Sequence, residues 1–305
     1  MRKTSAVLAT LSLAVLTLTG CASAPSFAGD VCDRAAASTP SIKDSVSVEG
    51  DLGEAPDVTV YSPVKADETS FADIVTGDGR AITTTGQTFV TDFTFYGAKS
   101  GKELTASAYD GDLSRINNIT SWEKQVPGFG KVLECATAGT RMIAVLSAED
   151  FGEGNAQSFG LGEDEGVVGV VDVHAVDLAR ATGALQFNDA KGLPTVVRAS
   201  DGTPGIIVPD SAAPSEAVTQ TLIKGEGAKV EEGQTLIMNS TTVGWDDKKV
   251  TSSTWGSDPQ LAPAAPGLVG STVGSQLLVV TPELDGAPAS ATVIDILGIV
   301  PVPEQ

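Results

Sequence analysis

Ile74-Val75-Thr76-Gly77-Asp78-Gly79 and Leu222-Ile223-Lys224-Gly225-Glu226-Gly227 are two versions of one phrase, an apolar strand end running into a Gly-acid-Gly turn. More of the phrase repeats downstream. Gly86-Gln87-Thr88 and Gly233-Gln234-Thr235 each open a strand-like apolar segment, and Lys102-Glu103-Leu104-Thr105 is matched by Lys248-Lys249-Val250-Thr251. Gly139-Thr140 before Met142–Leu146 parallels Gly274-Ser275 before Leu277–Val280. Val170-Val171-Asp172-Val173 parallels Val293-Ile294-Asp295-Ile296. Five matched blocks in one order point to an internal duplication.

The spacing between copies carries information of its own. Gly77 and Gly225 lie 148 positions apart, Gly139 and Gly274 lie 135 apart, and Asp172 and Asp295 lie 123 apart. The second copy is thus about a dozen residues shorter in each of two places, both between strands, where loops and sites reside. The pattern predicts strands near 73–76, 87–95, 101–108, 141–147 and 167–177, and again near 219–224, 234–243, 248–254, 276–281 and 291–299. One short helix is expected around Gly128–Ala136. Its counterpart shrinks to little more than Pro266–Ser271.

Composition agrees with β-rich folding. The 305 residues are 41% hydrophobic and only 5% aromatic, with 33 glycines, enough for real cores and many turns. Acidic residues outnumber basic ones 39 to 19, a formal charge of −20. Such a surface repels phosphate backbones and anionic headgroups, which argues against nucleic-acid binding and favours a soluble monomer.

The first twenty residues read as an export signal. Arg2 and Lys3 precede an apolar run from Ala6 to Leu18, too short to span a membrane, and Leu18-Thr19-Gly20-Cys21 follows. Small residues directly before a cysteine form a bacterial lipobox, so Cys21 is the expected lipid attachment point on the outer side of a cell membrane. An ordinary secretory signal beside a chance cysteine is the alternative. Residues 21–56 read as an acidic flexible tether. In an oxidising compartment the remaining Cys32 and Cys135 suggest a disulfide, two buried free thiols being the alternative. No CxxC occurs, so a redox or zinc role lacks support.

Gly77-Asp78-Gly79, Gly86-Gln87-Thr88, the strand after it, Gln125-Val126-Pro127-Gly128-Phe129, Gly139-Thr140-Arg141 and Val170–Val173 together resemble the FKBP-type peptidyl-prolyl cis-trans isomerases. A lipobox, an acidic tail and two such domains in tandem are similar to lipoproteins of high-GC Gram-positive bacteria. The resemblance implies an α+β fold of two tandem FKBP-like domains, each a twisted antiparallel sheet wrapped over a short helix. Domain 1 would span 57–180, a linker with one or two extra strands 181–217, and a shortened, degenerate domain 2 residues 218–305. It implies a folding factor for exported proteins that acts on proline-containing segments and uses no cofactor or metal.

Carried over residue by residue, the family's pocket is depleted of polar groups. The tyrosine of the family's first long strand falls on Phe93, its Phe-Asp pair on Leu104 and Thr105, and its Val-Ile pair on Gln125 and Val126. Its tryptophan floor falls on Phe129, its later tyrosine on Phe151, and its last aromatic near Val171. Phe93, Val126, Phe129 and Phe151 are therefore the expected pocket walls, with plain core packing as the competing role. In the second copy Ser240 and Val250-Thr251 stand at pocket positions, so no site is expected there. A non-catalytic pseudo-isomerase that binds peptide or protein is the alternative function. His174 reads as a strand-face residue, and Trp245 and Trp255 as packed residues or an exposed patch.

Overall fold

A computed structural model describes residues 32, 34–162, 164–187 and 190–302. The export signal, Cys21 and the start of the expected tether lie outside the described residues. After a 3-10 turn at Pro40–Asp44 the chain forms β1 (Val46–Glu49), β2 (Asp57–Val60), β3 (Ser70–Val75), β4 (Phe89–Gly97) and β5 (Glu103–Ala106). Short helices α1 (Ile119–Glu123) and α2 (Phe129–Leu133) lead to β6 (Thr140–Leu146). Helices α3 (Ala148–Phe151) and α4 (Glu153–Ser158) then precede β7 (Val167–Val176). There follow β8 (Ala184–Leu185), β9 (Thr195–Arg198), β10 (Pro204–Ile207), β11 (Val218–Lys224), β12 (Thr235–Gly244), β13 (Val250–Ser253), β14 (Gln260–Pro263), β15 (Gln276–Thr281) and β16 (Ser290–Ile299).

Two antiparallel sheets repeat one order. The N-terminal sheet runs β3-β6-β7-β4-β5, and the C-terminal sheet runs β11-β15-β16-β12-β13, with β8 added beyond β11 and β14 paired to β12. The segments missing from the second copy are the helical ones. Where α1 and α2 stand in the first unit the second has β14 and a turn, and where α3 and α4 stand it has only a short connection. The expectation of a helix under each sheet is corrected accordingly: among the described residues the C-terminal unit has none. Its inner face is closed instead by Leu268 of the turn and by Ala262 of β14, packed on Leu236, Met238, Leu277 and Ile296.

Strand alternation decides what each face buries. On the N-terminal sheet Phe95, Met142, Ala144, Leu146, Val171 and Val173 face the helices. Tyr96, Ile143, Val145 and Val168 face the other way and are covered by Ile42, Val46, Val48, Val58 and Val60. The β1–β2 hairpin is thus a lid on the back of the sheet. The C-terminal sheet has the same device: Leu278, Val280, Ala291 and Val293 are covered by Val196, Ile206 and Val208 of the β9–β10 hairpin and the turn after it. Two expectations change here. From Arg34 onward the segment assigned to a tether is folded onto its sheet, and the segment assigned to a linker supplies the second cover. Both were polar enough overall to mask the apolar residues spaced along one side of a two-stranded ribbon.

Covalent and ionic ties hold the first cover down. Cys32 is bonded to Cys135, closing a loop with a sequence separation of 103, a kind of cross-link that typically stabilises by about 2–5 kcal/mol. Arg34 pairs with Asp73 at 3.0 Å and lies over the Phe71 ring. Deeper still, the buried Arg141 guanidinium grips Asp172 through Nε and Nη2, each at 2.6 Å. Its remaining donors meet the carbonyls of Gly50 and Glu54, and the Gly53 N–H donates to Asp172 Oδ2. The cover loop therefore completes the hydrogen bonding of an ion pair that the sheet alone would leave half-satisfied.

The second sheet places Gln276 and Asp295 at the matching positions. Gln276 Nε2 donates to Asp295 Oδ1, and the Ala181 N–H donates to Oδ2. Arg198 of the second hairpin reaches Gln276 Oε1 at 2.7 Å. Burial pushes the Asp295 carboxyl up to about 6, against the pull of its hydrogen bonds and of the Arg198 and Arg180 charges.

Two outcomes are expected. Asp172→Ala strands a buried guanidinium and should cost about 3–5 kcal/mol in guanidinium-chloride unfolding, whereas Arg141→Met with Asp172→Leu should recover most of it. Asp295 keeps its proton in the folded state up to about pH 6 but, unfolded, loses it near 3.8. Stability should therefore fall as pH rises from about 4 to 6, by up to about 3 kcal/mol, and Asp295→Asn should abolish that component of the slope.

Candidate functional site

The expected pocket walls come together on the inner face of the N-terminal sheet. Phe93 and Phe95 project from β4 two residues apart, with ring centroids 5.0 Å apart. Phe129 opens α2 and meets Phe95 edge-on at 5.8 Å, and Phe151 at the end of α3 meets Phe95 at 5.7 Å. Val126 precedes α2 and joins the same cluster.

The hollow between them is filled. Trp122 of α1 stacks on Phe129 with centroids 4.6 Å apart and planes 11° apart, and meets Phe93 edge-on at 5.3 Å. Phe129 is 0% exposed, Phe151 1%, Val126 5% and Trp122 8%. Phe93 is half-buried. These four residues, the candidate pocket walls, pack in one apolar cluster, with Phe93 at its half-buried edge. Each aromatic pair contributes about 0.5–1.5 kcal/mol beyond the area it buries. One cost stands against this packing: the Trp122 indole N–H is buried without an acceptor, a penalty on the order of 1–3 kcal/mol.

Trp122 is the residue that family matching did not identify. Its local signal is in the sequence all the same. Asn118 caps α1 by accepting from the Ser121 N–H at 2.7 Å, and Ile119, Trp122 and Val126 follow at spacings of three and four, the buried stripe of a helix.

Between the two units lies a cleft of about 500 Å³. The N-terminal unit contributes Thr85, Thr120 and Lys124, the connecting segment Arg180 and Asp201, and the C-terminal unit Asn239, Trp255 and Asp258. The Trp255 indole N–H is buried there without an acceptor. Trp245, by contrast, is packed and donates to the Ser211 carbonyl at 2.9 Å. Two smaller hollows, of about 430 and 270 Å³, lie beside Leu185–Phe187 and beside Ile82, Ile119 and Glu123. None of these three cavities is lined by Phe93, Val126, Phe129 or Phe151.

Other chemistry is sparse. His174 Nε2 lies 2.9 Å from Asp92 Oδ2, and Ser107 donates to Asp92 Oδ1 at 2.5 Å. Both side chains therefore engage the Asp92 carboxylate rather than each other. Among the described residues no group of three or more His, Cys, Asp or Glu is placed to hold a metal, and no helix is long and apolar enough to cross a membrane.

No family model and no curated protein matches the chain. Solved structures similar to it include the three FKBP domains of wheat FKBP73, at 11% identity and a TM-score of 0.32, covering 76% of this chain and 94% of that one. A peptidyl-prolyl cis-trans isomerase from Pseudomonas syringae aligns at 15% identity and TM-score 0.30, over 38% of this chain and 81% of that one. FkpA from Escherichia coli aligns at 19% identity and TM-score 0.29, over 38% and 52%.

The burial of Phe129 has a measurable consequence. Phe129→Ala should destabilise the protein by about 3–5 kcal/mol in chemical unfolding, the cost of emptying a packed core position. A loss below about 1 kcal/mol would instead mark a wall of an open pocket.

Proposed function

We propose that this chain is a tandem FKBP-like protein, anchored through Cys21 on the outer side of a cell membrane, that binds exported polypeptides without catalysing prolyl isomerisation in the state described. One observation carries the absence of catalysis: Trp122 is stacked on Phe129, the residue at which the resemblance puts the floor of the prolyl pocket. The motifs shared by the two copies and the single strand order of both sheets support the tandem assignment. The basic start, apolar run and lipobox at 2–21 support the anchor.

Prolyl isomerisation needs little machinery but specific surroundings. Rotation about the peptide bond meets a barrier of about 18–20 kcal/mol. A dry apolar pocket with hydrogen bonds suited to the twisted amide lowers that barrier, and each ~1.36 kcal/mol is worth tenfold in rate. Here the family's hydrogen-bonding positions carry Phe93, Thr105 and Phe151, and the apolar space is occupied. The inter-unit cleft offers a concave surface to an extended segment of a client. Its Trp255 ring lines that surface. The charge of −20 fits a protein working as a monomer away from nucleic acid.

A slow isomerase is the second reading, favoured by the survival of four apolar residues at the family's pocket positions. An isomerisation assay on a proline-containing tetrapeptide separates the two. We expect no acceleration by the parent protein, together with binding of an unfolded proline-rich client that Trp255→Ala weakens on the order of tenfold. Saturable acceleration by the parent would overturn the binding-only reading. Client binding untouched by Trp255→Ala would remove the cleft from it.

A further inference from the structure

The helix that carries the filling residue is held from two sides. Helix α1 has five residues, too few to persist without support. Its N-cap, Asn118, is 6% exposed, and three of its hydrogen bonds bear on the helix. The Oδ1 atom accepts from the Ser121 N–H, the backbone carbonyl accepts from the Trp122 N–H, and Nδ2 donates to Asp258 Oδ1 of the C-terminal unit at 3.0 Å. Thr120 adds a backbone bond to the Thr85 carbonyl, in a loop whose Gly86 closely approaches the Ser257 carbonyl. The start of α1 is thus anchored by its N-cap, the 84–86 loop and the 257–258 turn of the other unit.

The far end of the same helix is the Trp122 indole, stacked on Phe129 and edge-on to Phe93 with its N–H unsatisfied. A residue selected only to fill a core would more readily be apolar throughout. An indole whose N–H has no acceptor gains a hydrogen bond as soon as it swings toward water. The closed position is consequently opposed from within and secured from outside.

We propose that Trp122 is a movable plug in an apolar pocket of the N-terminal unit, latched shut by the C-terminal unit through the Asn118–Asp258 hydrogen bond. Release of the latch lets α1 turn outward and exposes Phe93, Val126 and Phe129 to an apolar ring, a prolyl ring above all. Naming the prolyl ring rests on the isomerase-scaffold reading above; the plug itself does not. The C-terminal unit thereby sets the fraction of molecules that are open.

Two variants and two probes test this. Asp258→Ala alters an exposed side chain and leaves the Asn118 cap in place. Amide hydrogen exchange should quicken on the order of tenfold at Ser121–Val126 and remain unchanged in β6 and β7. Trp122→Ala, shown to be folded by its thermal transition, should bind Nile red and a proline-containing tetrapeptide that the parent leaves unbound. Unchanged exchange in Asp258→Ala would overturn the latch, and a folded Trp122→Ala that takes up neither probe would overturn the plug. Should Trp122→Ala fail to fold, Nile red uptake by Asp258→Ala decides in its place, with uptake supporting the plug and none overturning it. Nile red bound without the peptide would uphold the plug and sink the isomerase-scaffold reading.

Discussion

Each sheet is organised around a carboxylate that has no route to water. Asp172 on β7 and Asp295 on β16 are 0% and 1% exposed, each on the middle strand of its five-strand core. A carboxylate in such a place requires a donor from the neighbouring strand and further donors from whatever covers the sheet. In the first unit Arg141 and the Gly50–Glu54 loop supply them. In the second, Gln276 and Ala181 do, with Arg198 behind them. The covers are for that reason integral to the sheets. Removing either would expose the apolar back, and removing the first would leave Asp172 and Arg141 short of partners.

The same requirement explains how far the sequence could be read. The two-faced burial of β6 and β7 turns Thr140–Leu146 and Val167–Val176 into nearly unbroken apolar runs, and such runs are easy to locate. The Gly-acid-Gly turns fixed the repeat register, because Gly77 and Gly225 pack against the backbone at Gly139 and Gly274 with no room for a Cβ. The ten strands of the repeated core were legible on those grounds. The covers were not. The β1 and β2 strands have four residues each, their apolar side reads as scattered valines, and their partners lie far along the chain.

The candidate site was legible in the sequence as a set of positions. Phe93, Val126, Phe129 and Phe151 gather about one point of the apolar cluster. Whether that point is hollow depends on Trp122, a residue outside any family motif and on a helix one turn and a half long. Pattern matching asks which residues stand at given positions. It does not ask what occupies the space between them, and only packing answers that question.

Both covering hairpins come earlier in the chain than the sheets they protect. During synthesis, Val46, Val48, Val58 and Val60 are made first, and the face they cover is complete only when β7 ends at Val176, 130 positions after Val46. At roughly 5–20 residues per second the delay is on the order of ten seconds. Through that interval the leading ribbon is a sticky half-barrel stave, and Cys32 waits for Cys135 alongside it. A chain built in this order is best handled unfolded and released whole, since no N-terminal fragment short of β7 can cover its own apolar side.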